Sequence, residues 1–397
     1  MVVYIVYPAP NLITVCSILV VYTLRVREGW VRFPADRQMN KFRPYLISIL
    51  AVGIISAVFH GLAINNILPW HIAYSDVLGF WEKASQPVAY TDKQIEYPVI
   101  TGLFIHFIGQ LGGGRADYYL WSSFFLILLA IATTLFLYKL AGDKRELIRY
   151  WIFAPTMLVF LTFNWDILAI FLVVLAFYLV SKNNNMAAAA MLALGASAKL
   201  FPAIYLIPLL MKQENNAEKV KSALSFGITA LAANIYFMLA NFGNWSYFFR
   251  LNGVRNSNPD SIWTIIRFLF RGLTVPQINI ISLILFLAVF SYVMWKYKKE
   301  SFIKLCFAGT LIFLLFNKVF TPQYLLWLLP FFVLLPEFNL TNRFYFLEFS
   351  NIFALFFILP WFFIEKNINY IYLSGIFVLV RHFLLANILF RILKRRA

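Results

Sequence analysis

The chain has 397 residues, 62% of them hydrophobic and 13% charged, with 34 Lys and Arg against 17 Asp and Glu. A soluble domain carries roughly 25% charged residues, so a soluble enzyme, a disordered protein and a nucleic-acid binder are all excluded. The net charge of +17 reads instead as basic loops on one side of a membrane. Long apolar blocks, without the short alternating runs of a β-barrel, predict an all-α polytopic membrane protein, one integral membrane domain over residues 1–397.

A span needs about 20 apolar residues. In chain order the candidate crossings are Val3–Leu24, Pro44–Ala63, Tyr119–Tyr138, Tyr150–Phe163, Asp166–Ser181, Met186–Ala198, Phe201–Met211, Ser222–Asn241, Gln277–Lys296, Phe302–Phe320, Pro322–Pro336, Phe344–Phe363 and Tyr370–Leu389, thirteen in all. The first lacks a basic leader and a small-residue cleavage site, so it reads as a retained span and not a signal peptide. Tyr150–Phe163, Met186–Ala198 and Phe201–Met211 are too short to cross upright. With the amino terminus outside, most Lys and Arg fall on inside loops, which places the carboxy terminus in the cytoplasm. The membrane is then the plasma membrane of a prokaryote or the endoplasmic reticulum of a eukaryote. Cys16 and Cys306 lie in separate apolar segments and indicate no disulfide framework.

The two long outside loops, 64–118 and 242–276, are rich in aromatic residues. Loops beyond about 12–15 residues are functional or disordered, and this composition argues against disorder. The apolar stretch Pro98–Leu111 is expected as an interfacial helix on the outer leaflet, because a further span there would reverse the basic loop Lys139–Arg149. Any chemistry is therefore extracytoplasmic.

The first loop opens with Trp70-His71-Ile72-Ala73-Tyr74-Ser75-Asp76. A lone carboxylate among aromatics just beyond a span is partly desolvated, which raises its pKa and suits a general base. A solvated loop aspartate, or a cap for a helix starting at Val77, is the competing reading. His71 stands near enough to position an acceptor, or is an ordinary interfacial histidine. In Glu96-Tyr97-Pro98, Pro98 opens the interfacial helix and Glu96 suits its N-terminal dipole; a hydrogen bond to a sugar hydroxyl is the alternative. In Asn164-Trp165-Asp166, Asp166 is either a helix cap or a site residue, since charge at that depth is costly unless paired.

Two segments resemble one another: Lys199-Leu200-Phe201-Pro202-Ala203-Ile204-Tyr205 and Lys318-Val319-Phe320-Thr321-Pro322-Gln323-Tyr324. Each sets a lysine at the outer end of one span before a proline that opens the next. Free N–H groups at such a helix start, with the lysine, favour a phosphate; snorkelling to the interface accounts for either lysine alone. The second loop offers Arg255 for bidentate phosphate contact or as a solvated loop arginine, Asp260, and Trp263 as a platform for a sugar ring or a plain interfacial tryptophan. The four histidines lack ligand spacing, so no metal site is expected, and there is neither a phosphate-binding glycine loop nor a nucleophile elbow.

Taken together, Tyr74-Ser75-Asp76, Glu96-Tyr97-Pro98, Ala198-Lys199-Leu200-Phe201-Pro202 and Asn317-Lys318-Val319-Phe320-Thr321-Pro322-Gln323-Tyr324-Leu325-Leu326-Trp327 resemble the GT-C glycosyltransferases. The last stretch is similar to the polyprenol-phosphate-mannose-dependent α-mannosyltransferases of actinobacteria and archaea and to the first mannosyltransferases of GPI synthesis. The resemblance implies a polytopic GT-C fold with about thirteen spans and interfacial helices in the first outside loop. It implies inverting transfer of a sugar, with mannose expected, from a polyprenyl-phosphate donor to a lipid or glycan acceptor. Asp76 would be the base, with Lys199, Lys318 and Arg255 on the donor phosphate. His71, Tyr74, Glu96, Tyr97, Asp166, Asp260, Trp263, Gln323 and Tyr324 would contact substrate. Val3–Leu24 is an additional span ahead of the catalytic loop, and a single Asp76 stands where some GT-C families have paired acids. No cofactor is expected, and metal independence follows from the absence of a large soluble carboxy-terminal domain. A transporter or flippase of polyprenyl-linked sugars, or an O-antigen polymerase or ligase, would use the same phosphate groups; a base facing the same cavity as Lys199 and Lys318 separates the transferase from the transporter.

Overall fold

The computed structural model describes residues 36–85, 88–364 and 368–394. The expected span Val3–Leu24 lies outside them. The chain divides into two compact units, Met1–Pro44 and Tyr45–Ala397. The described part of the first is the start of helix α1 (Asp36–Gly61).

The second unit is helical, and among its described residues the sole extended pairing is an isolated bridge between Ala89 and Lys93. Its longer helices are α2 (Val99–Gly109), α3 (Arg115–Leu140), α4 (Asp166–Ser181), α5 (Asn185–Ala198), α6 (Asn216–Ala240), α7 (Val275–Lys296), α8 (Phe302–Phe316), α9 (Thr341–Phe363) and α10 (Ile368–Lys394). Among the described residues five helices are long and apolar enough to cross a membrane: Asn40–Gly61, α3, α6, α7 and Tyr372–Lys394. Phe344–Phe363 lies within the unbroken helix α9, and the remaining expected crossings among the described residues are shorter apolar helices or broken ones. Tyr150–Phe163 divides into a π turn at Ile148–Ile152 and a short helix Pro155–Phe160. Pro155 cannot continue the preceding ladder, and the buried Glu348 of α9 accepts from the backbone N–H of Thr156 at 2.6 Å. The segments after Pro202 and Pro322 begin as 3₁₀ turns, Phe201–Tyr205 and Pro322–Trp327, so neither proline opens an α-helix directly.

α4 packs on α3 and α5, and α5 packs on α6. The run Ala187–Ala190 on α5 is buried; small side chains let helices approach closely where lipid supplies no hydrophobic drive. The stretch expected as an interfacial helix is α2, too short to cross a bilayer upright at 1.5 Å per residue. Thr101 on α2 donates to the Ala198 carbonyl at 2.8 Å, tying α2 to the end of α5 beside Lys199.

A polar knot fixes the first loop. The Ser75 hydroxyl donates to the carbonyls of Thr162 and Phe163 at 3.2 and 3.1 Å. The Thr162 hydroxyl meets Ser56 at 3.0 Å and Tyr119 at 3.1 Å. His60 lies between the carbonyls of Ala73 and Val159 at 3.1 and 2.8 Å. Asp76 is therefore held against the turn before α4 by groups from four segments.

α2 also closes tightly on the short helix Trp81–Ala84. A β-carbon at Gly109 would lie 2.3 Å from the Ala84 carbonyl oxygen, whereas one at Gly227 would meet nothing within 4 Å. Gly109→Ala should lower stability by about 1–3 kcal/mol through overpacking, and Gly227→Ala should be neutral or mildly stabilising. Thermal unfolding in detergent micelles compares the two; equal midpoints would contradict the close approach.

Candidate active site

A cavity of about 580 Å³ opens between the two long loops. It gathers ten of the residues singled out from the sequence: Tyr74, Asp76, Glu96, Tyr97, Lys199, Arg255, Asp260, Lys318, Gln323 and Tyr324. His71, Asp166 and Trp263 do not line it. Among the described residues no group of three or more His, Cys, Asp and Glu has a metal-holding arrangement.

Asp76 begins a single helical turn, Asp76–Gly79. The Tyr74 hydroxyl donates to Oδ1 at 2.7 Å, and Asn164 Nδ2 donates to Oδ2 at 2.5 Å. The same Asn164 amide donates to the Tyr97 hydroxyl at 3.0 Å. Desolvation pushes the Asp76 carboxyl above the usual aspartate value; the bonds from Tyr74 and Asn164 and the charge of Lys199 oppose that rise. The outcome is an oriented carboxylate with elevated proton affinity. Glu96, by contrast, is salt-bridged to Lys83 at the cavity edge.

Asp166 stands behind the cavity, fully buried, as the first residue of α4. Its Oδ1 pairs with Lys199 Nζ at 3.1 Å and accepts from Trp327 Nε1 at 2.8 Å. The Trp327 indole stacks on Phe201 at 4.1 Å and on Tyr324 at 4.0 Å. The Lys199 ammonium lies over the rings of Tyr97 and Tyr324, 5.0 and 5.5 Å from their centroids. The three short motifs beginning at Asn164, Lys199 and Lys318 thus meet at one carboxylate.

Lys318 is held differently. Its Nζ donates to the Arg255 carbonyl at 2.9 Å and approaches that of Gly253 at 3.5 Å. The second loop is not irregular: it forms helices Phe242–Trp245, Tyr247–Val254 and Ile262–Leu269. Asn258 N–H donates to the Lys318 carbonyl at 3.1 Å, and Ser261 Oγ to that of Asn317 at 3.1 Å. Trp263 is buried, its indole N–H donating to the Phe316 carbonyl at 2.7 Å; it fastens the loop to α8.

Two contributors were given no role in the site from the sequence. Asn164 adjoined a flagged aspartate but gave no signal of its own. Arg381, fully buried on α10, donates to Asn351 Oδ1 at 2.8 Å and to the Asp260 carbonyl, and its guanidinium lies 4.0 Å from the Phe320 ring centre. Asn351 in turn donates to the Pro322 carbonyl at 2.9 Å. Burial pushes the Asp260 carboxyl up to about 6 against the pull of Arg381, whose Nη1 is 3.9 Å from its Oδ2. An arginine inside an apolar span was the available signal, since such residues face partners in the protein interior.

Removing one member of a buried ion pair strands the other, at a cost of about 3–5 kcal/mol. Arg381→Met should therefore destabilise strongly. Adding Asp260→Asn should restore part of the loss, read as a non-additive double-mutant cycle in unfolding measurements. Simple additivity would show that the two groups are not coupled.

Residues 95–322, more than half of the chain, match the model of glycosyltransferase family 87. The chain is also similar to GPI mannosyltransferase 1 of Kluyveromyces lactis, at 26% identity over 230 residues, 52% of this chain and 57% of the relative. GPI mannosyltransferase 1 of Candida albicans is 25% identical over 228 residues, 50% of this chain and 56% of the relative. The chain thus spans little more than half the length of the curated relatives it matches. The family match takes in Glu96, Tyr97, Asp166, Lys199, Arg255, Asp260 and Lys318, and the glycosyltransferase resemblance carried by the short motifs holds: the chain belongs to glycosyltransferase family 87.

Proposed function

We propose that this protein transfers a mannosyl group from a polyprenyl-phosphate donor to a hydroxyl of a lipid or glycan acceptor, with inversion, on the extracytoplasmic face of its membrane. The observation that carries this reading is that Asp76, Lys199, Lys318 and Arg255 line one cavity. Mannose is supported by the similarity to the two yeast GPI mannosyltransferases. A sugar transporter would need the cations but no base, so the shared cavity favours the transferase.

In the proposed reaction the acceptor hydroxyl gives its proton to Asp76 as its oxygen bonds to the anomeric carbon. The bond from that carbon to the phosphate oxygen breaks, and the electron pair leaves with the polyprenyl phosphate. Lys318 and Arg255 receive the developing negative charge, with Lys199 beside them. These cations supply the required positive charge, so the reading needs no metal. Tyr74 and Asn164 hold the base; Tyr97, Gln323 and Tyr324 form the wall a sugar would lie against. Leu355, Ile358, Phe248 and Phe313 also line the cavity and offer an apolar passage for the prenyl chain. His71 and Trp263 are left to supporting roles.

The reading keeps about thirteen spans, with the shorter and broken helices completing the bundle and α2 at the outer interface. The carboxy terminus is cytoplasmic. A cysteine at Ser85 should react with an impermeant thiol reagent from outside intact cells, and one at Asn215 should not; the reverse pattern would overturn the orientation.

The direct assay presents purified protein with polyprenyl-phosphate mannose and a panel of lipid and glycan acceptors. Asp76→Asn should bind donor but lose about 10²–10⁴-fold in turnover; near-normal turnover would remove Asp76 as the base. Tyr74→Phe deletes a hydrogen bond that favours the ionised carboxylate, so the Asp76 pKa should rise further. The acidic limb of kcat/KM against pH should then move to higher pH. A limb unmoved, or moved lower, would mean that Asp76 is not the group titrating.

A further inference from the structure

A second groove, of about 620 Å³, lies between the helix Ile262–Leu269 and the first turns of α10. Its walls are apolar: Ile265 and Phe268 on one side, Tyr372, Ile376 and Leu379 on the other. Phe268 meets Tyr372 edge to face at 5.6 Å. Gly375 lies between those wall residues, and a β-carbon there would meet no atom within 4 Å, so the groove reaches the helix backbone. Arg267 and Arg271 stand in its lining, and among the described lining residues none is acidic. Arg267 Nη1 donates to Asn256 Oδ1 at 2.7 Å, which steadies the guanidinium while leaving most of its five N–H groups for another acceptor.

The position of the groove narrows what fits it. Tyr372 opens the candidate span Tyr372–Lys394. Positions 372–379 cover the first two turns of that span, about 10 Å at 1.5 Å per residue. That is the depth at which lipid headgroups give way to chains. Ile376 is 58% and Tyr372 49% exposed, so this wall faces outward, where lipid lies. Two cations without a carboxylate select an anion, and guanidinium groups match phosphate geometry. A small soluble phosphate compound would leave the apolar walls uncovered; a zwitterionic lipid would bring its own headgroup cation beside the two arginines.

We propose that this groove binds an anionic phospholipid, its phosphate on Arg267 and Arg271 and one acyl chain between Phe268 and Ile376. Charge-assisted hydrogen bonds from guanidinium groups to a phosphate would hold the headgroup. Pro259 lines both this groove and the active-site cavity. A lipid seated here abuts the loop that carries Arg255 and Asp260, and so steadies one wall of the cavity.

The test uses the full chain, purified in detergent and exchanged into nanodiscs of phosphatidylcholine with or without phosphatidylglycerol, with retained lipids counted by native mass spectrometry. The parent protein should retain phosphatidylglycerol over phosphatidylcholine by about tenfold or more, the scale of a charge-assisted hydrogen bond. R267Q/R271Q should lose that preference. Gly375→Phe, which enters open space, should lower retention of either lipid. Equal retention of both lipids by the parent protein would overturn the proposal, as would phosphatidylglycerol retention unchanged in both variants. Displacement of phosphatidylglycerol by an equal amount of polyprenyl phosphate would assign the groove to the donor and overturn it too.

Discussion

The ion pair of Asp166 and Lys199 is the joint on which the site depends. Neither charge is tolerable alone at that burial, because an unpaired ion in an apolar interior costs several kcal/mol. At 3.1 Å each accounts for the other. The Trp327 indole, 161 positions along the chain from Asp166, donates to the same carboxylate oxygen and brings the Lys318–Trp327 segment to the first two motifs. Aromatic stacking of Phe201, Trp327 and Tyr324 then fills the space around the pair. A polar contact fixes the register, and dispersion between rings fixes the distance.

Asp76 is positioned on the same plan, from the other side. Its neighbour Ser75 is bonded to the carbonyls of Thr162 and Phe163, and Asp76 itself receives Asn164 from the residue that follows. The turn Thr162–Asp166 therefore faces two ways, holding the candidate base with Asn164 and the lysine with Asp166. This explains why a short polar break between two apolar helices persists in a membrane chain, where each polar group needs a partner.

Much of this was legible in the sequence, and what was not has a physical cause. Apolar block length located the helices well: Asp166–Ser181 has the same limits in both readings, and Gln277–Lys296 differs from α7 by two residues. It failed at Tyr150–Phe163, where Pro155 and a carboxylate from distant α9 break the helix; hydropathy does not register either. Ten of the thirteen candidate site residues converge on the cavity because lone polar residues beside apolar segments are few and need partners. Asn164 and Arg381 were missed because their roles rest on partners 88 and 121 positions away. Trp263 carries the aromatic signal of a sugar platform, yet its indole N–H goes to a backbone carbonyl. An isolated tryptophan does not reveal which of its faces will be buried.

The two lysine motifs look alike in sequence and differ in electrostatics. Lys199 is balanced by Asp166 and covered by Tyr97 and Tyr324. Lys318 has neutral carbonyl partners and Arg255 as a neighbour, so its charge is uncompensated. Contacts order the cavity: Asn164 joins Asp76 to Tyr97, Lys199 lies over Tyr97 and Tyr324, and Tyr324 feels the charge of both Lys199 and Arg255. The sequence of groups runs from an anion, through a neutral ion pair among aromatic rings, to a pair of cations. On the proposed reading this polarity sorts the substrates. The donor phosphate is drawn to Lys318 and Arg255, and the acceptor hydroxyl to Asp76. The sugar between them lies along the rings, which offer flat apolar faces without competing for its charge. A site with Lys199 unpaired would bind phosphate more tightly in the ground state, but it would also place a full cation beside the base and depress its pKa. Pairing Lys199 with Asp166 keeps the phosphate charge at one end and the proton affinity of Asp76 at the other.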